Sequence, residues 1–335
     1  MTSAPYFEDF EIGDDFSDVP SVTLTDGHAA IHQSMFGDRL RLPLDHPLCE
    51  AVTGHARGLV HPSLVCNFAI GQSTFPSQRV MGNLFYRGLL MRRPVFIGDT
   101  LTTTTRVVAL KQNRVREDRD ASGMVALEIQ VNNQRNETVM LFWRCPMIPC
   151  RDPRANTGRA DDFSTMPEEI SMSEIKHAVP DWDFGLLQKR LGDTHYQSLQ
   201  QGQTIEVDAR DTVTLAPELV RLTLNMAMTH TDAARSVYGK RLVYGGHTIA
   251  MAAAQLSRAL PGLVTLLAWY RCDHTGPVFE QDILRSIITV EQKTELETGG
   301  IVDMKVEVYA TRGSEAPEAG KDIKILDWKL AGLFV

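Results

Sequence analysis

The sequence predicts an α+β protein built twice over: two tandem units, each a long central helix wrapped by an antiparallel sheet. Three observations carry this. The chain repeats itself: Phe7-Glu-Asp-Phe-Glu-Ile-Gly13 returns as Tyr196-Gln-Ser-Leu-Gln-Gln-Gly202, Val22-Thr23-Leu24 as Val213-Thr214-Leu215, and Pro94-Val-Phe-Ile-Gly-Asp99 as Pro277-Val-Phe-Glu-Gln-Asp282. The spacing repeats too, since 34 positions separate Val60 from Pro94 and Val243 from Pro277. Finally, each copy reads as one apolar helix followed by several strand-like runs.

The two central helices are Pro62-Ser-Leu-Val-Cys-Asn-Phe-Ala-Ile-Gly71 and Thr248-Ile-Ala-Met-Ala-Ala-Ala-Gln-Leu-Ser-Arg258. Both are apolar almost all round, as a helix buried inside a curved sheet must be. Strands follow at 100–108, 123–131 and 138–144 in the first unit, and at 283–290, 300–308 and 323–330 in the second. These runs are rich in β-branched residues and partly alternate apolar with polar side chains. The units span residues 1–150 and 193–335. Residues 151–192, with Pro153, Gly158, Pro167 and a charged helical piece at 186–191, read as a surface linker.

Composition narrows the function. A chain of 335 residues accommodates two cores. Hydrophobic content of 43% and charged content of 23% describe a globular protein. A net charge of −8 with no long basic run argues against nucleic acid as a partner. No apolar stretch approaches the roughly 20 residues of a membrane span, and the N-terminus lacks a basic, apolar, cleavable signal, so the expected location is cytoplasmic and no membrane partner is expected. Five cysteines, without a Cys-x-x-Cys pair, read as free thiols. Cys145 and Cys150 are the nearest candidates for redox or metal chemistry.

The stretch with most chemistry is Asn225-Met-Ala-Met-Thr-His230-Thr-Asp232, followed by Arg241-Leu-Val-Tyr244-Gly245-Gly246-His247-Thr248. Glycines at a helix entry let a ligand approach the backbone, and the unpaired amides there, with the helix dipole, hold a developing oxyanion. His230 titrates near neutrality and is suited to general acid–base work. Asn225 is placed to orient water. A thioester carbonyl on its way to an enolate fits this set.

These residues resemble the MaoC-like, or hydratase 2, branch of the hotdog superfamily. Its pattern is Asp-x-Asn-Pro-x-His-x-Asp before a Val-x-Gly turn that opens a long central helix. His230 matches the catalytic His, Asp232 the later Asp and Gly245 the turn glycine. Asn225 stands where the family has its catalytic Asp, and a carboxamide does not accept and return a proton as a carboxylate does. Two readings follow, a His-led mechanism with Asn225 positioning the water, or a weakened site. The wording Asn-x-Ala-x-x-His with Tyr-Gly-Gly-His is similar to that of the mesaconyl-CoA hydratase (β-methylmalyl-CoA dehydratase) group. The resemblance implies a double hotdog that reversibly hydrates a 2-enoyl-CoA thioester, such as mesaconyl-CoA or a similar short branched acyl-CoA. Coenzyme A is then part of the substrate, and no metal or further cofactor is required.

In the first unit the counterpart of this pattern is degenerate, with Asp45 at the His position, Pro47 at the Asp position, and Asp38 two residues too far away. The resemblance implies that one copy catalyses while the other shapes the acyl pocket. Catalytic candidates are His230, Asn225, Gly245 and Gly246; substrate-binding candidates are Asp232, Tyr244, His247, Arg241, His61 and Asp38. His247 either meets the thioester or only satisfies the helix entry. The remaining histidines, His28, His32, His46, His55, His177, His195 and His274, show no partner pattern. Arg57, Arg87, Arg241 and Arg271 are candidates for a coenzyme phosphate or substrate carboxylate. The alternatives are a non-catalytic acyl-CoA-binding subunit and a hotdog thioesterase, the latter opposed by central helices without Asp or Glu. Edge-to-edge pairing makes a homodimer a further possibility.

Overall fold

The computed structural model describes residues 4–191, 195–313 and 320–335. Positions 192–194, where the sequence sets the boundary between linker and second unit, lie outside the described residues. The first unit contributes β1 (Val22–Thr23), β2 (Gly82–Met91), β3 (Thr100–Gln112), β4 (Ser122–Asn132) and β5 (Thr138–Pro149). The second contributes β6 (Thr204–Glu206), β7 (Asp211–Thr212), β8 (Leu263–His274), β9 (Ile283–Glu295), β10 (Gly300–Thr311) and β11 (Asp322–Phe334).

All join one antiparallel sheet in the order β1-β3-β4-β5-β2-β8-β11-β10-β9-β6, with β7 also on β9. The two halves mirror each other across the β2–β8 seam, where Arg87 stands opposite Arg271. The predicted architecture is therefore present, and the two units share a single sheet. Strand chemistry explains which face looks inward. In β3, Leu101, Thr103, Thr105 and Val107 are buried while Thr102 and Arg106 are exposed; in β9, Leu284, Ser286, Ile288 and Val290 are the buried set.

The central helices are Pro62–Gln72 and Gly245–Ala259. Every residue of the first is buried, which matches its lack of a polar stripe. The second begins at Gly245, so the Gly-Gly pair forms its first turn. The helices pack against one another closely enough that a methyl group on Gly246 would lie 1.9 Å from Oδ1 of Asn67.

Strands β2 and β8 escape the sequence reading for a physical reason. Val264, Leu267, Ala268 and Tyr270 of β8 are buried as fully as Leu263, Leu266 and Trp269, so the strand has no polar alternation. What covers its outer face corrects the expectation of a surface linker. Ile175 and Leu187 are buried in a cluster with Val264, Leu267 and Leu333, and Trp182 packs against it. Residues 151–192 thus include a structural cover, each buried Leu or Ile contributing roughly 1.5–3 kcal/mol. Among the described residues, no helix is long and apolar enough to cross a membrane.

Candidate active site

The loop bearing Asn225 and His230 is fixed from both units. The Met226 amide donates to Oγ1 of Thr74 at 2.8 Å and the Met228 amide to the Gln78 carbonyl at 2.8 Å, both across the interface of the two copies. The Leu242 amide closes the other side on the Thr229 carbonyl at 3.0 Å. This frame holds a cavity of about 230 Å³ between the units. Asn225, His230, Tyr244 and Gly245 line it from the second unit, and Thr74, Ser77, Asn83, Tyr86 and Arg144 from the first.

His230 is oriented by a bond from Nδ1 to the Leu242 carbonyl at 2.8 Å. A carbonyl only accepts, so Nδ1 carries the proton and Nε2 keeps its lone pair. Burial pushes the imidazole down to about 4, against the raising effect of the Leu242 bond, so it is neutral at pH 7. Asn225 is likewise committed on one side. Its Oδ1 accepts from the Ala227 amide at 2.9 Å, which leaves the amide NH₂ as its remaining group, a donor only. Tyr244 links the elements: its ring centroid is 5.6 Å from that of His230, and its hydroxyl donates to the Asn67 carbonyl at 3.1 Å.

Gly245 is the first residue of the helix, and its amide, like that of Gly246, has no intrahelical acceptor. Directly against Gly245 lies His274, at the end of β8; a methyl group on Gly245 would be 2.7 Å from its Cε1 and Nε2. Nε2 of His274 is buried without a hydrogen-bond partner, and burial, with His230 nearby, pushes this imidazole down to about 4. The cavity therefore has two neutral imidazoles and a helix N-terminus at one end.

Of the substrate-binding candidates, Tyr244 reaches this cavity. Gly246 lies beneath it, against Asn67 and Tyr244. Asp232 instead caps the short turn at Ala233–Arg235, accepting from the Ala234 amide, with its side chain exposed in a separate surface cleft. Arg241 pairs with Glu280 at 2.7 Å outside the cavity. His247 is turned away, its Nε2 2.7 Å from the Thr214 carbonyl and its ring against Phe36; of its two readings the structure supports the one in which it serves the helix entry. Asp38 and His61 face each other at 3.5 Å inside the core. Burial would raise Asp38, but His61, the Leu40 amide and the Ser257 hydroxyl outweigh it and hold the carboxyl below its usual range. The reason is common to these residues: they satisfy local polar groups of loops and helix ends, and those needs turn them from the cavity.

The arginines flagged by their position are also engaged. Arg87 meets Asp273 at 2.6 Å and Glu168 at 3.0 Å, Arg271 meets Asp327 at 3.8 Å, and Arg57 reaches the Ile97 carbonyl. Sequence reasoning missed Arg144 and His274. Arg144 was detectable from the alternation of β5, where it follows Met140 and Phe142 on the inward face; His274 had no such signal, because β8 does not alternate. The five cysteines are free and buried, and among the described residues no group of three His, Cys, Asp or Glu is placed to hold a metal.

A central helix wrapped by an antiparallel sheet, present twice in one continuous sheet with the cavity between the copies, defines a double hotdog. No protein-family model matches the chain. A conserved hypothetical protein of Mycobacterium tuberculosis with a double hotdog fold is 41% identical, with a TM-score of 0.89 and 99% of each chain covered. The β-methylmalyl-CoA dehydratase of Chloroflexus aurantiacus is 27% identical over 83% of this chain and 80% of its own length. The mesaconyl-CoA hydratase of Cereibacter sphaeroides is 26% identical over 93% and 90%. The chain belongs to the MaoC-like double-hotdog dehydratase family.

Proposed function

We propose that the protein catalyses reversible addition of water to the double bond of a 2-enoyl-CoA thioester. One observation carries this reading: His230 presents an unprotonated Nε2 to the cavity that also receives Gly245 and the Asn225 amide. The thioester carbonyl accepts from the Gly245 amide at the positive end of the helix. Water accepts from the Asn225 amide and donates to Nε2. As its oxygen bonds to the β-carbon, Nε2 takes a proton, and the π electrons move to the α-carbon and carbonyl as an enolate. The imidazolium then returns its proton to the α-carbon. One base serves both transfers, which is why an amide suffices at position 225.

The names of the two relatives make mesaconyl-CoA the first substrate to try. Hydrolysis of the thioester is opposed by the central helices, which carry no Asp or Glu to activate water. Turnover in deuterium oxide tests the reading. Addition predicts a 3-hydroxyacyl-CoA with one deuterium at the α-carbon; release of free coenzyme A would instead identify a thioesterase, and unchanged thioester would leave an acyl-CoA-binding subunit.

A further inference from the structure

His274 lines the cavity near His230, and hydration by a single base leaves it without a task. It is the last residue of β8, and the internal repeat pairs it with Met91: each stands three positions before the proline of a Pro-Val-Phe segment, Pro277 and Pro94. Met91 borders a cavity of only about 30 Å³, with Val60 and Pro62. The copy that has His230 and the cavity of about 230 Å³ therefore also has His274, and the degenerate copy has neither imidazole. An imidazole where the other copy has a thioether costs desolvation unless its polar atoms find partners. Contacts among the described residues do not supply them. The Cε1–Nε2 edge of the ring lies against Gly245, and Nε2 is enclosed there without a partner. Nδ1 lies farther from Gly245, is not enclosed and makes no hydrogen bond to a described residue, and the residue is part-exposed where it lines the cavity. A neutral ring carries one proton. On Nε2 it would be a buried donor facing no acceptor, so it sits on Nδ1. Tyr86 holds the ring in place, edge to face at 5.8 Å.

We propose that His274 is a further catalytic residue, a neutral donor whose Nδ1–H binds the thioester oxygen together with the Gly245 amide and stabilises the enolate. The proposal deepens the hydratase reading and rests on it. The ring touches the residue that opens the second central helix, so an oxygen bound at the helix start lies against it. When the water oxygen bonds to the β-carbon and the π electrons reach the carbonyl oxygen, that oxygen accepts two hydrogen bonds instead of one. His274 keeps its proton throughout, and His230 makes both proton transfers. A neutral imidazole suits this place, because at a helix N-terminus it polarises a carbonyl without adding a second positive charge.

His274→Met, which installs the residue of the first unit, is expected to lower kcat on crotonyl-CoA about 10²–10³-fold with KM little changed. His274→Gln, which keeps a neutral donor, should recover part of the loss. Lost packing also lowers kcat, so the deciding readout is the infrared carbonyl band of carbonyl-labelled butyryl-CoA, which has no double bond to hydrate. Bound to wild type, the band is expected at lower wavenumber than in the free thioester; His274→Met should return part of that shift and His274→Gln restore it. A band at the free position in wild type overturns the proposal without any variant, and so does a shift that His274→Met leaves unchanged. A shift that depends on His274, in a protein that hydrates no enoyl thioester, supports the donor and overturns the hydratase reading instead. Failure to bind butyryl-CoA overturns both.

Discussion

Nδ1 of His230 donates to the main-chain carbonyl of Leu242 at 2.8 Å, and this bond decides what the imidazole can do. It fixes the tautomer, so the lone pair of Nε2 is available to the cavity at every pH at which the ring is neutral. Burial sets that range by pushing the ring down to about 4. Protonation abolishes the base, so kcat/KM is expected to stay level from neutrality to about pH 5 and to fall as the pH approaches 4. A pH–rate profile checks this; an acid limb centred near 6.5 would show that His230 is not the titrating base.

Buried histidines also tie stability to pH. His32 is pushed down to about 3 and His247 and His274 to about 4, in each case chiefly by burial, against 6.5 as the ordinary value. Above pH 6.5 the folded and unfolded chains are both neutral at these sites, and stability is full. As the pH falls from 6.5 toward 4 the unfolded chain binds protons that the folded one refuses, and stability is lost at about 1.4 kcal/mol per pH unit per group. Urea midpoints should drop steadily across that window. A midpoint unchanged down to pH 4.5 would contradict the buried, neutral assignment.

The approach of the two central helices at Gly246 leaves no room for a side chain. Gly246→Ala would place a methyl group 1.9 Å from Oδ1 of Asn67 and should cost about 1–3 kcal/mol by overpacking. Adding Asn67→Ala to that variant removes the nearer obstruction and leaves the Tyr244 ring at 2.8 Å, so the double variant should be more stable than the sum of the single changes predicts. Strict additivity in thermal unfolding would show that the contact is not the constraint.

The linker makes a different demand. Ile175 is fully buried against the outer face of the sheet, so Ile175→Ala should destabilise the protein by about 2–5 kcal/mol. A neutral effect on the denaturation midpoint would return residues 151–192 to the status of a surface tether.

How far the sequence could be read depended on whether each feature left a local trace. The repeat, both central helices and the six outer strands were legible because alternation and all-round apolarity are properties of short windows. β2 and β8 were not; in β8 the core around the central helices covers one face and the linker the other, which erases its period. In the site, Asn225, His230, Tyr244 and Gly245 sit next to one another in sequence and could be found together. Asp232, Arg241 and His247 share that neighbourhood, yet caps, ion pairs and a carbonyl turn them elsewhere. His274 and Arg144 come from strands that approach the helix only in the folded sheet; the alternation of β5 could show Arg144 facing inward, but nothing in the local sequence of either put it in the same cavity as His230.

The central claim concerns His230, and the most direct measurement is the loss of enoyl-thioester absorbance when the protein meets mesaconyl-CoA or crotonyl-CoA, with His230→Ala run alongside. The account predicts hydration by the wild type and a loss of about 10²–10⁴-fold in the variant, with its thermal unfolding still cooperative. Equal rates for the two proteins, or no hydration by the wild type, would contradict it.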